Sequence, residues 1–214
     1  MPHELDLDSW HRRHHFEFFK DYEQPFFNLC AEVDVTRLLE VTRAGQLSFF
    51  LACLYLSLEA ANGIEPFRYR LRGNGVTVFD VIHGGSTILR QDQTFGFAYF
   101  DYEADFAVFH AAGSRILEQT AAAQGPLEDR PERDDLIHYS VIPWVSFSSF
   151  SHARRLPASD STPKVVFGKH HDSGGAAKMP VSVEVHHALM DGLEMGRFFE
   201  SFQSLLEDPA ALTR

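Results

Sequence analysis

Apolar and polar residues alternate along several short segments of the chain, and a period of two residues predicts β-strands. The clearest case is residues 26–35, where every second residue from Phe27 to Val35 is apolar and shares one face. Further strands are predicted where short apolar runs are separated by glycine-rich turns. They cover residues 67–72, 75–79, 86–90, 95–102, 137–150, 164–170 and 181–187.

Apolar residues at helical spacing predict α-helices over residues 10–20, 36–43, 47–62 and 104–123 and from Gly192 onward. The pair Asp8-Ser9 is expected to cap the first of these helices. Asn62-Gly63 is expected to end the third in the left-handed conformation. The apolar run 47–58 is twelve residues long. A membrane span needs about 20 residues, so this run predicts a buried helix.

The irregular mixture of strands and helices, with several adjacent hairpins, predicts an α/β fold with the two layers of an α+β protein and a large mixed β-sheet. The chain contains no internal repeat and no low-complexity tract, so residues 1–214 are predicted to form one domain. Residues 124–135 carry two prolines and a dense mixture of charges. This composition predicts a surface loop within the domain.

The composition excludes several classes of protein. With 214 residues, 44% of them hydrophobic and 23% charged, the chain can bury a sizeable core and is neither disordered nor fibrous. A net charge of −11 argues against binding to nucleic acid, which requires a basic face. Cys30 and Cys53 do not form a disulfide framework and fit a reducing compartment. The acidic N-terminus lacks the features of a signal peptide, so a cytoplasmic, soluble protein is expected.

Histidines are numerous, and their clusters raise the question of metal binding. The chain has twelve, with groups at 11–15, 170–171 and 186–187. A structural zinc site usually includes cysteine ligands at recognisable spacing, and neither cysteine lies near a histidine group. We therefore predict no metal site and expect most of these histidines to lie at the surface.

The pair His186-His187 is the exception, because it lies where an alternating strand ends and a helix is about to begin. Alternation along residues 181–185 directs the two rings to opposite faces, so only one can point into a given cleft. A neutral imidazole at such a junction can act as a general base on a hydroxyl group. Asp191 can pair with a cation or brace the loop, and Gly192 allows the backbone to turn into the helix.

Three segments of the sequence resemble the chloramphenicol acetyltransferase family. Residues 186–192 carry its His-His-x-x-x-Asp-Gly signature, which dihydrolipoyl acyltransferase cores share. Residues 9–19 resemble its N-terminal Asn-Trp-x-Arg-Arg-x-His-Phe-Glu-Phe-Tyr stretch, and residues 140–150 resemble its Ser-x-x-Pro-Trp-Val-x-Phe-x-Ser-Phe stretch. The three segments occur in the family's order, and no lipoyl domain precedes them, which favours this family over the dihydrolipoyl acyltransferases.

The resemblance implies a large mixed sheet with helices packed on one side, and a homotrimer in which the sheet extends across the interface. Each active site would lie between subunits and transfer acetyl directly from acetyl-CoA to a hydroxyl. His187 would be the general base, and Ser140 would donate a hydrogen bond to the tetrahedral oxyanion. Asp191 would pair with Arg12 to hold the loop. No metal is implied.

From the residues alone, plainer interpretations remain open. Arg12 fits a solvated helix arginine, and Ser140 fits a strand serine bonded to the backbone. Trp144 fits a core aromatic residue, although the resemblance places it near the CoA path. Lys169 is a candidate cation for the CoA phosphates, which an acidic protein must offset locally.

The resemblance also implies an acceptor pocket, and this sequence departs from it at several positions. Phe18, Phe95 and Phe150 keep the expected aromatic character. Four residues differ from the family pattern: Phe19 replaces a tyrosine, Leu127 a phenylalanine, His152 a leucine, and Val166 a threonine whose hydroxyl helps to hold a water near the reacting centre. These changes leave the histidine chemistry intact but alter acceptor fit.

The sequence thus predicts an acetyl-CoA-dependent chloramphenicol O-acetyltransferase that inactivates the antibiotic. The four departures favour, as an alternative, an acyltransferase of the same fold that acts on another small hydroxyl compound. A second alternative is a non-enzymic trimer that binds a ligand or a metal through its histidines.

Overall fold

The computed structural model describes residues 1–130, 132–154 and 160–213. The helices are α1 (Arg13–Phe19), α2 (Thr36–Ala44), α3 (Phe49–Asn62), α4 (Phe106–Ala122) and α5 (Gly192–Glu207). The strands are β1 (His3–Glu4), β2 (Phe26–Asp34), β3 (Tyr69–Arg72), β4 (Gly75–Val78), β5 (His83–Leu89), β6 (Phe95–Phe100), β7 (Leu136–Ile142), β8 (Lys164–Gly168), β9 (His171–Ser173) and β10 (Ala176–His186). No helix in the described ranges has the length and apolar character required to cross a membrane.

A large mixed sheet organises the structure, and this confirms the predicted fold class. Its strand order is β2-β10-β8-β7-β5-β6, with β9 paired to β10. Strands β5, β7 and β8 run parallel to one another, whereas the other pairs are antiparallel. Strands β1, β4 and β3 form a second, smaller sheet. The extension of the large sheet across a trimer interface stays a prediction.

One face of the large sheet, which we call the inner face, carries the main hydrophobic core. Alternate residues of β10, including Val181 and Val183, are fully buried there, as is Val165 on β8. These residues form one hydrophobic cluster with side chains from α2, α3, α4 and α5. On α3, Leu51 and Leu54 are fully buried. Burial of these side chains is the main free-energy contribution that holds the helices on this face.

The opposite, outer face carries polar side chains in rows that the strand register defines. One row contains Thr87, Ser140, Val166 and Ser182, from β5 to β10. The next row contains the charged or titratable side chains His138, Lys164 and Glu184. This face is the one that carries the candidate serine.

The strand predicted over 137–150 is too long, because β7 ends at Ile142. Pro143 has no amide hydrogen for the ladder, and the chain turns there. The Phe147 ring lies 2.8 Å from the position that a Cβ on Gly168 would occupy, on the outer face. Residues 143–154 therefore leave the sheet and pass over its outer face, where Val166 is fully buried.

Two predicted helix caps are also wrong. Helix α1 begins at Arg13 and has no side-chain cap, since the Ser9 hydroxyl donates to Asp6 and the Asp8 carboxylate accepts from Arg13. Helix α3 ends at Asn62 as predicted, but Gly63 has a φ of −70° and stays right-handed. The Asn62 side chain ties this end of the helix to Ile82 instead.

Candidate active site

The turn after β10 holds the candidate base. Strand β10 ends at His186, whose carbonyl accepts hydrogen bonds from the amides of Leu189 at 3.0 Å and Met190 at 3.3 Å. The His187 amide donates to the carbonyl of Pro25 at 2.7 Å, which fixes the turn to the chain before β2. The turn leads into helix α5, which begins at Gly192 and is capped by Asp191.

The His187 ring is half-buried between two aromatic side chains. It is stacked on Phe19, with ring centroids 4.0 Å apart and an interplanar angle of 15°, and Phe27 lies at 4.7 Å. Its Nδ1 lies 3.3 Å from the carbonyl oxygen of Met190. A carbonyl only accepts, so neutral His187 carries its proton on Nδ1. The lone pair is then on Nε2, which is the nitrogen that can take up a proton.

Arg12 and Asp191 form an ion pair beside this turn. Arg12 is only 6% exposed, so its interpretation as a solvated helix arginine is wrong. Asp191 also accepts from the Leu193 amide at 2.9 Å, while its own amide donates to Glu194 at 2.9 Å. Burial opposes the ionisation of Asp191, but the hydrogen bonds from Leu193 and Arg12 outweigh it and lower its pKa to about 2. The pair and the capping box together hold the end of the turn.

His186 is the buried member of the histidine pair, at 2% exposure. Its Nδ1 accepts a hydrogen bond from the Ala188 amide at 3.2 Å, and its ring meets Phe26 edge-on at 5.0 Å. Burial, with the positive charge of Arg154 as a further cause, lowers the pKa of His186 to about 4. The ring is therefore neutral at physiological pH and supports the turn. We call His187, Phe19, Phe27, Arg12 and Asp191 the histidine group.

Ser140 lies on the outer face and is half-buried. The Thr87 hydroxyl donates to its Oγ at 3.5 Å. The partner is thus a side chain on β5, not the backbone group that an ordinary strand serine would use. The neighbouring positions in the row are occupied by Val166, which is fully buried, and beyond it by Ser182.

The remaining acceptor residues divide between two regions. Phe18 lies on α1 next to Phe19 and is 62% exposed. Phe95 on β6 and Leu127 in the 124–135 loop are both exposed. Phe150 contacts His152 edge-on at 4.9 Å, and the buried Nε2 of His152 has no hydrogen-bond partner in the described part of the chain. Burial lowers the pKa of His152 to about 4.

Within one chain, the structure does not bring Ser140 and His187 together. Ser140 is level with Ser182 on β10, two strands away, and His187 follows five residues later. Strand spacing and rise place the two residues roughly 18 Å apart. We call Ser140, Thr87 and Val166 the serine group. The residues predicted for one site therefore form two groups at different places on the sheet.

A cavity of about 290 Å³ lies between α3 and the ends of β7 and β8. Its lining is mainly apolar, with two basic side chains, and includes Phe49, Phe50, Cys53, Pro143, Lys169 and His170. Trp144 follows Pro143 and is 63% exposed, so its interpretation as a core residue is wrong. The cavity offers a slot for an apolar chain with a cation at its rim.

Several residues of these groups had little or no sequence signal. Phe27 belongs to the alternating pattern of a predicted strand, but no local pattern places it or Thr87 at a site; the register of distant strands brings them there. Arg154 lies outside all three segments that carry the family resemblance, and no local pattern marks it. No group of three or more histidine, cysteine or acidic side chains could hold a metal ion within residues 1–130, 132–154 and 160–213.

Nearly the whole chain is similar to known proteins. Residues 2–203 match the family model described as chloramphenicol acetyltransferase. A chloramphenicol acetyltransferase from Streptomyces acrimycini is 29% identical over 213 residues, covering 99% of this chain and 97% of that protein. Another from Klebsiella sp is 28% identical over 210 residues, covering 95% and 93%.

Solved structures show the same similarity. A chloramphenicol acetyltransferase superposes with a TM-score of 0.86 at 27% identity, covering 96% of this chain and all of that one. The dihydrolipoamide acetyltransferase of Azotobacter vinelandii has a TM-score of 0.66 at 16% identity, covering 89% and 84%, and shares the fold.

Proposed function

The chain belongs to the chloramphenicol acetyltransferase family, and from this we propose that it transfers the acetyl group of acetyl-CoA to a hydroxyl of chloramphenicol in the cytoplasm. The observation that carries the proposal is the state of His187. Its Nδ1 is directed at the Met190 carbonyl and its ring is held against Phe19, so Nε2 is left free for a proton. A base fixed in one tautomer and one orientation is what hydroxyl activation requires.

The reaction then proceeds by direct transfer. Nε2 of His187 takes the proton of the acceptor hydroxyl while the hydroxyl oxygen attacks the thioester carbonyl. The Ser140 hydroxyl, which receives a hydrogen bond from Thr87, donates a hydrogen bond to the oxyanion. One such donor contributes about 3 kcal/mol to transition-state stabilisation. The thioester carbon–sulfur bond breaks, and protonated His187 returns the proton to the thiolate.

The separation of the two groups supports a site shared between subunits of a homotrimer. A base and an oxyanion donor must both lie within hydrogen-bond reach of the reacting atoms. Ser140 and His187 of one chain are too far apart for this. We therefore propose that the histidine group of one protomer meets the serine group of its neighbour, with Phe95, Leu127, Phe150 and His152 lining the acceptor pocket on the serine side.

The cavity beside α3 fits acetyl-CoA in chemical character. Its apolar lining suits the pantetheine arm, and Lys169 at its rim can bind a phosphate. Two other basic side chains, on β9 and β10, have acidic partners: Lys178 pairs with Asp34, and His171 lies 3.2 Å from Glu32. Trp144 is exposed next to the cavity and is proposed to contact the cofactor.

His152 favours a second candidate acceptor. Its buried Nε2 lacks a partner within the described ranges, and a polar group in an apolar pocket is costly unless the ligand satisfies it. An acceptor with a hydrogen-bonding group at this position would bind more tightly than chloramphenicol. The same chemistry would then act on another small hydroxyl compound.

Thiol release from acetyl-CoA, followed with a chromogenic disulfide, tests the proposal. We expect turnover with chloramphenicol, and a fall in kcat of about 10³-fold in His187→Ala because the general base is lost. His14→Ala removes an exposed histidine of α1 and is the matched control, with activity unchanged.

The outcomes separate the alternatives. Thiol release with other alcohols but not chloramphenicol supports the second acceptor. Zinc binding without thiol release supports a non-enzymic role. Turnover that persists in His187→Ala rules out this histidine as the base.

A further inference from the structure

Arg154 lies at the centre of a charged cluster on the outer face of the sheet. Its Nε donates to the carboxylate of Glu184 at 2.5 Å, and its Nη1 donates to Asp160 at 2.7 Å. The side chains of Arg154 and Glu184 are only 11% and 9% exposed. Separation of the two partners would leave a buried charge without compensation, which is strongly unfavourable. The ion pair therefore keeps both side chains in place.

The same guanidinium group touches the histidine pair through one aromatic ring. Its Cζ lies 3.4 Å from the ring centroid of Phe26. Phe26 is the register partner of His186 across β2 and β10, and the two rings meet edge-on at 5.0 Å. Arg154 thus fixes the ring that packs against His186.

His186 in turn determines the position of the group that orients the base. Its Nδ1 accepts from the Ala188 amide, and its carbonyl accepts from the Met190 amide. The carbonyl of Met190 is the acceptor for Nδ1 of His187. A shift of His186 therefore moves the peptide that sets the tautomer and the direction of His187.

We propose that Arg154 is a positioning residue for the base, acting through Phe26 and His186 on the turn that carries His187. The inference rests on the proposed function of His187. It adds a residue that lies outside all three segments that carry the family resemblance. Arg154 touches neither reacting group itself.

The positive charge of Arg154 also affects the position of the turn, through the protonation state of His186. The charged and titratable groups that face His186 are Arg154, Asp160, Glu184 and His187. Burial and the positive charge of Arg154 lower the pKa of His186, so its Nδ1 stays an acceptor. In Arg154→Met this charge is lost and both carboxylates are left without their cation. The pKa of His186 should then rise, and protonation would break its bond with Ala188.

A double-mutant cycle on kcat tests the proposal. Arg154→Met should lower kcat about tenfold, because a misdirected base loses reactivity steeply with small displacements. In a His186→Asn background, Arg154→Met should lower kcat by less than about twofold, since the contacts made through His186 are already altered. The KM for acetyl-CoA should stay unchanged. Arg154→Lys keeps the charge and should recover part of kcat.

Arg37→Met is the matched control, because Arg37 forms an exposed ion pair with Glu40 on α2, and its kcat should equal that of the wild type. An equal loss from Arg154→Met in both backgrounds would overturn the proposal, since Arg154 would then act independently of His186. No loss in either background would overturn it as well.

Nitrogen-15 NMR of the histidine rings gives a readout that does not need turnover. In the wild type, His186 should stay neutral, with its proton on Nε2, from pH 8 to pH 5. In Arg154→Met its titration should move to higher pH. If the wild type transfers no acetyl group, the proposed function fails, and this measurement still decides the positioning role. An unchanged His186 titration in Arg154→Met refutes that role.

Discussion

His187 depends on contacts that come from separate parts of the chain. Phe19 precedes it by more than 160 residues, yet stacks on its ring, while Met190 lies in the same turn and accepts from Nδ1. The stacking fixes the ring plane and the hydrogen bond fixes the tautomer. Both are needed because an imidazole free to rotate would present either nitrogen to the acceptor.

Because the neighbouring His186 is buried, we predict that the stability of the protein depends on pH. In the unfolded chain its pKa is near 6.5, whereas in the fold burial lowers it to about 4. Between these values the unfolded chain binds a proton that the folded protein excludes, so stability falls as the pH is lowered through this window. The loss amounts to about 2 kcal/mol between pH 7 and pH 5.

His186→Asn retains an acceptor for the Ala188 amide but does not titrate. Its free energy of unfolding, measured by urea denaturation at pH 7, 6 and 5, should therefore decline less steeply than that of the wild type. Parallel declines in the two proteins would show that the buried ring has an ordinary pKa.

At the scale of elements, helix packing on the inner face depends on close approach between α3 and α4. Gly113 on α4 faces Leu51 on α3, and a Cβ at Gly113 would lie 2.8 Å from a Leu51 methyl. Leu51 is fully buried and has little room to move. Gly196 on α5 has no atom within 4 Å of the position of its Cβ. The two glycines are both helical but differ in their surroundings.

These two glycines give a matched pair of substitutions. Gly113→Ala should destabilise the protein by about 1 kcal/mol, because overpacking outweighs the gain in helix propensity. Gly196→Ala should stabilise it by about 0.5–1 kcal/mol, since only the propensity changes. Thermal unfolding of both variants provides the test. Stabilisation of both would mean that Leu51 moves aside without cost.

Elements marked by strong local patterns were predicted well, and elements with competing signals were not. Strand β2, helix α2 and the buried helix α3 lie within two residues of their predicted bounds. Residues 143–150 have strand-like composition but leave the sheet at Pro143. The place of residues 143–154 over the outer face is decided by the contacts of Phe147 with Gly168 and of Arg154 with Glu184, which no local pattern records.

At the scale of the whole molecule, the distance between the two groups means that the proposed site needs a second chain. Each protomer carries a complete histidine group and a complete serine group, but not at the same place. In the proposed homotrimer, a closed ring of three subunits would join each histidine group to a neighbour's serine group. The solution mass should then be three times the 24.3 kDa of one chain.

Mixing two inactive variants tests this arrangement. His187→Ala and Ser140→Ala each lose turnover alone, the second by about 10²-fold. Random mixed trimers contain one intact site wherever an unaltered His187 meets an unaltered Ser140. An equal mixture, co-expressed with two different tags, should regain about a quarter of wild-type activity. Activity no higher than that of the parents would place both residues in one protomer.

The sequence by itself determined the fold class, the order of most elements and three short segments that carry the family resemblance. It did so because these features depend on local periodicity and on residues close together in the chain. It also led to the ion pair of Arg12 and Asp191, although only through that resemblance.

Only the tertiary structure decided which distant side chains meet. The row from Thr87 to Ser182, the stacking of Phe19 on His187, the tautomer of His187 and the cluster around Arg154 all depend on strand register and loop paths. These are fixed by the burial of the whole core rather than by any short segment, because a contact between residues far apart in sequence forms only when the entire sheet has assembled.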